Sequence, residues 1–291
     1  MMAELTGVYN FWKDGFSVTD EMKKNFDDNG YIVIRDLFDS KEMANLRKVF
    51  EDTDITAKHG LKVGDGTGKK TKIVLWTNPG SDVSGVMARC EKVVNTCEDL
   101  LGKGEVYHYH GKLLYKDAFT GGAHLWHQDY GYWYRNTCLF PDMLTVFAAI
   151  DRCAKSNGCL QILPGSHKCG RVDHEMTSGQ MTANADRVEE IKKVCPLAYV
   201  EMEPGDALFF HCNVLHCSSA NESPDRRWAY LIAYNTKANN PLVPHHHAQY
   251  TPIQKVPDSA VAECTNYNDF TDKRFIEGHE SKTSQFDKSE T

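Results

Sequence analysis

Nothing in these 291 residues supplies the basic stripe that follows a phosphate backbone: Asp and Glu outnumber Lys and Arg by 40 to 33, a formal net charge of −7. Nucleic acid is therefore not an expected partner, and a small-molecule substrate is. The ten cysteines include no C-x-x-C pair, and in a chain this long they fall short of a disulfide scaffold. Met1 to Trp12 lacks a positively charged start followed by an apolar run, so no secretory signal is read. Free thiols and a cytoplasmic location are the expectation. No segment has the uninterrupted apolar length of a membrane span. The closing Ser289-Glu290-Thr291 is not a peroxisomal address, and no repeat period is visible. The expected state is a monomer or homodimer without a membrane partner.

What is present suits one large domain with a sizeable core. Thr19 followed by Asp20, Glu21 and Met22 predicts a capped helix that Asn29-Gly30 ends. Tyr31 to Ile34 then reads as a strand, and a second helix starts at Ser40 with Met43, Leu46, Val49 and Phe50 on one side. Gly64 to Lys70 superficially resembles a phosphate loop but fails as one, since Val63 and Lys70 stand where a Gly and a Ser or Thr are needed. It is expected to be a mobile loop before a strand from Lys72 to Trp76. Ser84 to Leu101 predicts a third helix, closed by Gly102.

From Glu105 the texture changes to short β-rich runs. Strands are predicted at 106–115, 125–129, 144–151, 159–163, 199–201, 207–211 and 228–235, with turns at Asn157-Gly158, Pro164-Gly165 and Pro204-Gly205-Asp206. Regular short strands of this kind point to a sandwich or barrel, with no parallel α/β sheet. Residues 184–193 form the one clearly helical insertion. The organisation predicted is a single domain over residues 1–277, with a helical flank at 1–104 and a β core at 105–257. Residues 278–291 are expected to be a loose polar tail.

The chemistry concentrates at Trp126-His127-Gln128-Asp129. On a strand, alternate side chains share a face, so His127 and Asp129 would be aimed at one point. An imidazole and a carboxylate completed by a second His make a facial triad that holds Fe(II) with positions left open. Two later histidines, His211 and His216, are an odd number apart, so one unbroken strand cannot aim both inward. His216 is preferred because Ser218 would share its face and Arg226-Arg227 opens the next strand. A keto acid cofactor needs a buried cation for its far carboxylate, and Arg is suited to that task. Arg227 shares its face with Ala229, Leu231 and Ala233, and Arg226 lies on the other face with Trp228.

His127-Gln128-Asp129, Asn157-Gly158-Cys159-Leu160, Pro164-Gly165-Ser166-His167, Gly205-Asp206 and the interval from His216 to Arg227 resemble, in order and spacing, the phytanoyl-CoA dioxygenase family of iron- and 2-oxoglutarate-dependent oxygenases. The resemblance runs from about residue 19 to about residue 257. It implies a mainly β fold, a double-stranded β-helix of jelly-roll or cupin-like form, with flanking helices. It implies Fe(II) on His127, Asp129 and His216, and 2-oxoglutarate anchored by Arg227 and Ser218. Oxygen is then consumed, succinate and carbon dioxide are released, and an aliphatic C–H bond of a small organic molecule is hydroxylated; ascorbate is an expected stimulant. Asp129 speaks against the halogenase branch, which lacks this carboxylate. Tyr115 to Phe119, Trp126-His127 and Trp133 resemble the ectoine hydroxylase side of the family. By that likeness His110 and Trp133 contact substrate, with Tyr130 beside them, and Thr145 helps hold 2-oxoglutarate. Lys72 matches a cofactor-contacting Lys of the phytanoyl-CoA branch.

Blander readings stand beside these. Tyr130, Tyr132, Trp133 and Tyr134 frame either a box for a cationic group or an aromatic core layer. His245-His246-His247 reads as a polar loop whose adjacent side chains diverge. His108, His124, His167 and His211 read as satisfied polar groups near the site, and Cys212 and Cys217 as apolar fillers. Two other functions remain open: a catalytically silent sensor of metal or ligand, and a cupin-like hydrolase or isomerase. The pairing of Arg227 with Ser218 favours the oxygenase over the hydrolase, which has no need of that cation.

Overall fold

Tyr31-Ile32-Val33-Ile34 shows why the protein has two apolar layers. Alternate residues of this strand enter different cores: Ile32 and Ile34 pack with the helices, and Tyr31 and Val33 pack with a second sheet. A strand covered on both faces is apolar throughout, and all four residues are fully buried. Each such side chain contributes about 1.5–3 kcal/mol relative to exposure.

The computed structural model describes residues 3–13 and 15–277. The strands in chain order are β1 (Val8–Asn10), β2 (Tyr31–Arg35), β3 (Leu61–Gly64), β4 (Lys70–Thr77), β5 (Val106–Lys116), β6 (His124–His127), β7 (Met143–Ala149) and β8 (Leu160–Ile162). They continue as β9 (His174–Thr177), β10 (Gln180–Ala183), β11 (Ala198–Val200), β12 (Ala207–His211), β13 (His216–Ser218), β14 (Arg227–Thr236) and β15 (Arg274–Phe275). A nine-stranded sheet has the order β1-β2-β12-β7-β14-β5-β4-β15, with β3 also paired to β4, and a four-stranded sheet has the order β11-β8-β13-β6. The small sheet packs through Leu160, Ile162, Ala198 and Val200 on Phe147, Leu208, Phe210 and Leu231 of the large one. The other face of the large sheet packs through Val146, Phe209, Tyr230 and Ile232 on helices Asp20–Asn29, Ser40–Glu51, Val83–Met87 and Glu91–Leu101. This is the cupin-like, mainly β architecture with flanking helices, and the site lies between its two sheets.

The first helix ends as its sequence predicts. Thr19 accepts from the Met22 N–H, and Gly30 adopts a left-handed φ of 81°. The predicted helix from Ser84 to Leu101 is two helices, broken where Cys90 is extended. The cause is distant: the Glu91 N–H donates to the Val256 carbonyl and the Lys92 N–H to Asp258 Oδ1, so a far segment caps the second helix. Gly64 to Lys70, expected to be mobile, is a hairpin turn held by Asp65, whose carboxylate accepts from Thr67 and from the Ala123 N–H. Strands β1, β3, β9 and β10 and the helix Ile55–His59 were not foreseen in the sequence.

All ten cysteines are free, and no helix among the described residues is long and apolar enough to cross a membrane. The predicted tail at 278–291 lies outside the described residues.

Candidate active site

β13 pairs with β6 so that His216 lies opposite His127 and Ser218 opposite His124. Two residues of β13 span three of β6, a bulge that turns both His124 and His127 to the same face. β6 stops at His127, and Asp129 is helical, with φ −58° and ψ −38°. The predicted strand to 129 is therefore too long, and strand alternation is not what brings the two ligands together. The chain turns into a short helix at Asp129, and that turn swings the carboxylate back. Asp129 Oδ1 lies 4.0 Å from His127 Nε2 and 3.9 Å from His216 Nε2.

One ligand atom from each of these three buried residues lies within 4.8 Å of the others, a group that can hold a metal ion. The tautomers fit that use. His127 Nδ1 donates to the Leu125 carbonyl at 2.8 Å and His216 Nδ1 to the Val214 carbonyl at 2.9 Å, which leaves each Nε2 with a free lone pair. Burial pushes both imidazoles below their ordinary pKa, favouring the neutral, ligating form. Two imidazoles and one carboxylate form the donor set of a facial iron site.

Gln128, between the ligands, is a staple that the sequence did not reveal. Its amide donates to the Gly170 and Asn213 carbonyls and accepts from the Val172 N–H, and its own N–H donates to His174 Nε2. Gly131 makes room for that imidazole, since a Cβ there would lie 2.3 Å from His174 Nε2.

The other end of the cavity is cationic. Arg227, 1% exposed, donates through Nη2 to the Gly158 carbonyl at 2.9 Å, and its Nε and Nη1 have no hydrogen-bond partner among the described residues. Lys116 stands opposite it on β5 and reaches only the Ser218 and Ser219 carbonyls. Burial, then Arg227, hold its pKa well below the ordinary lysine value. No acid among the described residues forms an ion pair with either cation. Ser218 is buried on β13, two residues beyond His216. Arg226 faces away, bonded to Asp151 and Glu51 and lying over the Trp228 ring.

Several predicted positions are corrected. Lys72 is on the wrong face, at alternate spacing with Val74 and Trp76 of the helix-side core, and it pairs with Asp117 at 2.7 Å. Lys116 is the lysine that stands opposite Arg227. Thr145 donates its hydroxyl hydrogen to Asp129 Oδ2 at 2.6 Å, so it steadies a candidate metal ligand and does not offer that hydrogen to a cofactor. Tyr130 turns into the core, where its hydroxyl donates to the Cys138 carbonyl, and Tyr134 lies outside under Arg171. The aromatic run is therefore not one box. His110 and Trp133 do meet, with ring centroids 5.7 Å apart, and His247 joins them 5.1 Å from His110.

His245, His246 and His247 converge, each placing a nitrogen within 4.8 Å of the others, contrary to the expected divergence. His211 packs on His167; it ends β12 in the large sheet whereas His216 opens β13 in the small one, so a break in the chain and not strand alternation separates the two. Among the described residues neither ring nitrogen of His124 or of His108 has a hydrogen-bond partner, contrary to the expectation that both are satisfied. Lys112, on the site face of β5, was missed; no local pattern marks it, because its neighbours are apolar.

The family model for phytanoyl-CoA dioxygenase (PhyH) matches residues 26–229. The chain belongs to this family. A probable phytanoyl-CoA dioxygenase of Caenorhabditis elegans is 26% identical over 278 residues, covering 88% of this chain and 85% of that protein. An L-proline trans-4-hydroxylase of Streptomyces griseoviridis is 31% identical over 182 residues, 56% of this chain and 66% of that protein. Among solved structures, EctD from S. alaskensis with 2-oxoglutarate and 5-hydroxyectoine superposes with a TM-score of 0.69 at 21% identity, covering 85% of this chain and 90% of that one. The fold is thus that of this enzyme class, and the chain is a 2-oxoglutarate-dependent dioxygenase.

Proposed function

We propose that His127, Asp129 and His216 hold Fe(II), that 2-oxoglutarate lies between this metal and Arg227, and that the protein hydroxylates an aliphatic C–H bond of a small organic molecule. The observation that carries this reading is the pair of buried cations, Arg227 and Lys116, with no acid between them. Burying a guanidinium with two unpartnered nitrogens is costly, and a carboxylate arriving there removes the cost. A dicarboxylate keto acid puts one end on the metal and the other on Arg227, with Ser218 beside it.

Iron and 2-oxoglutarate, when bound, would with dioxygen supply an oxidant for a C–H bond, one oxygen atom going to the hydroxylated product and the other to succinate, with carbon dioxide released. The protein's part is orientation. The Leu125 and Val214 carbonyls set the imidazole tautomers, Thr145 fixes the carboxylate, and His110 with Trp133 form the wall a substrate meets. The amino acid named for the proline hydroxylase relative supports a small substrate.

Succinate release from 2-oxoglutarate under oxygen, with added Fe(II), tests the reading. Arg227→Ala is expected to weaken 2-oxoglutarate binding by roughly tenfold or more while iron binding is retained. Equal loss of both would overturn the assignment.

A further inference from the structure

We infer that the substrate carries a carboxylate and that Lys112 binds it, an inference that rests on the iron and 2-oxoglutarate reading above. Lys112 lies opposite Leu231 of β14 and Leu75 of β4, and Leu231 in turn lies opposite Phe147 of β7. These residues share the face that carries Arg227 and His110. Lys112 therefore stands on the floor of the cavity, between the cationic end and the wall made by His110 and Trp133.

No hydrogen bond or ion pair engages its ammonium among the described residues, whereas Lys116 is taken up by two carbonyls. Unlike Lys116, Lys112 keeps part of its surface open. It lies two residues from His110 on the same face of β5, and His110 lies opposite Ala233, whose partner on β7 is Thr145, the residue bonded to Asp129.

Charge balance then selects the ligand. A ferrous ion and Arg227 together cancel Asp129 and a doubly ionised 2-oxoglutarate, so a filled site keeps two lysines uncompensated, Lys116 against its two carbonyls and Lys112 with no partner among the described residues. The histidine neighbours of Lys112 cannot balance it, because an imidazole is either neutral or cationic and offers no negative charge. An anion on the substrate does, and a carboxylate is the small anion whose two oxygens accept from an ammonium.

The test uses the Mn(II)-loaded enzyme saturated with 2-oxoglutarate, and reads the paramagnetic relaxation of carbon-13 acetate against carbon-13 acetamide. Acetate is expected to bind near the metal roughly tenfold better than acetamide. Lys112→Met should abolish that preference and Lys112→Arg keep it, with 2-oxoglutarate affinity within about twofold of wild type in both. Wild-type enzyme that treats acetate and acetamide alike overturns the inference. So does a Lys112→Met variant whose 2-oxoglutarate affinity falls as far as its acetate affinity, since the carboxylate on Lys112 would then be the cofactor's. Failure of wild-type enzyme to bind 2-oxoglutarate at all would instead remove the reading beneath it.

Discussion

Thr145 and Asp129, sixteen residues apart in the chain, meet through a hydrogen bond of 2.6 Å from the Thr hydroxyl to Asp129 Oδ2. The bond leaves Oδ1 facing His127 and His216, so one carboxylate oxygen is anchored and the other presented. Thr145→Val keeps the shape and removes the donor. Iron affinity is expected to fall roughly 10- to 100-fold, and metal titration of the two proteins checks it.

Lys72 and Lys116 separate resemblance from geometry. Lys72→Ala breaks a half-exposed pair with Asp117 and should leave 2-oxoglutarate affinity unchanged. Lys116→Met removes a cation facing Arg227 and should weaken binding by roughly tenfold. Anaerobic titration with 2-oxoglutarate measures both, and a larger loss in the Lys72 variant would contradict the facing described here.

His174 ties pH to stability. Burial lowers its pKa to about 4 from the ordinary 6.5. The unfolded chain therefore binds the proton first as pH falls. The contribution is complete above pH 6.5 and is lost progressively between there and about 4, on the order of 3 kcal/mol in all. The melting temperature of metal-free protein should drop over that window. His174→Gln should flatten the drop, and an unchanged profile would contradict the buried neutral imidazole.

Gly131 allows His174 to take the Gln128 N–H. Gly131→Ala puts a methyl against the imidazole and should cost on the order of 1–3 kcal/mol. Because Gln128 lies between two candidate metal ligands, iron affinity should fall with it. A denaturation curve and a metal titration on one preparation read both effects.

Most of the strands, the first helix with its Thr19 cap, and the pairing of His216 with Ser218 were legible in the chain, because each follows from a period or a cap a few residues long. The break at Cys90 was not legible, since the groups that cap the second helix come from Val256 and Asp258. Nor was the helical turn at Asp129, since His127-Gln128-Asp129 alternates like a strand until Tyr130 N–H bonds to the Cys212 carbonyl.

By itself the sequence determined which residue types were available, in what order, and which side of a strand Arg227 and Arg226 would take. The tertiary structure decided which lysine faces Arg227, that Thr145 serves Asp129, that His124 joins the cavity, and that Lys112 has no partner among the described residues. The reason is physical: alternation is set by the backbone of one strand, whereas the register between strands a hundred residues apart is set by packing, and one step of register moves a side chain to the other face.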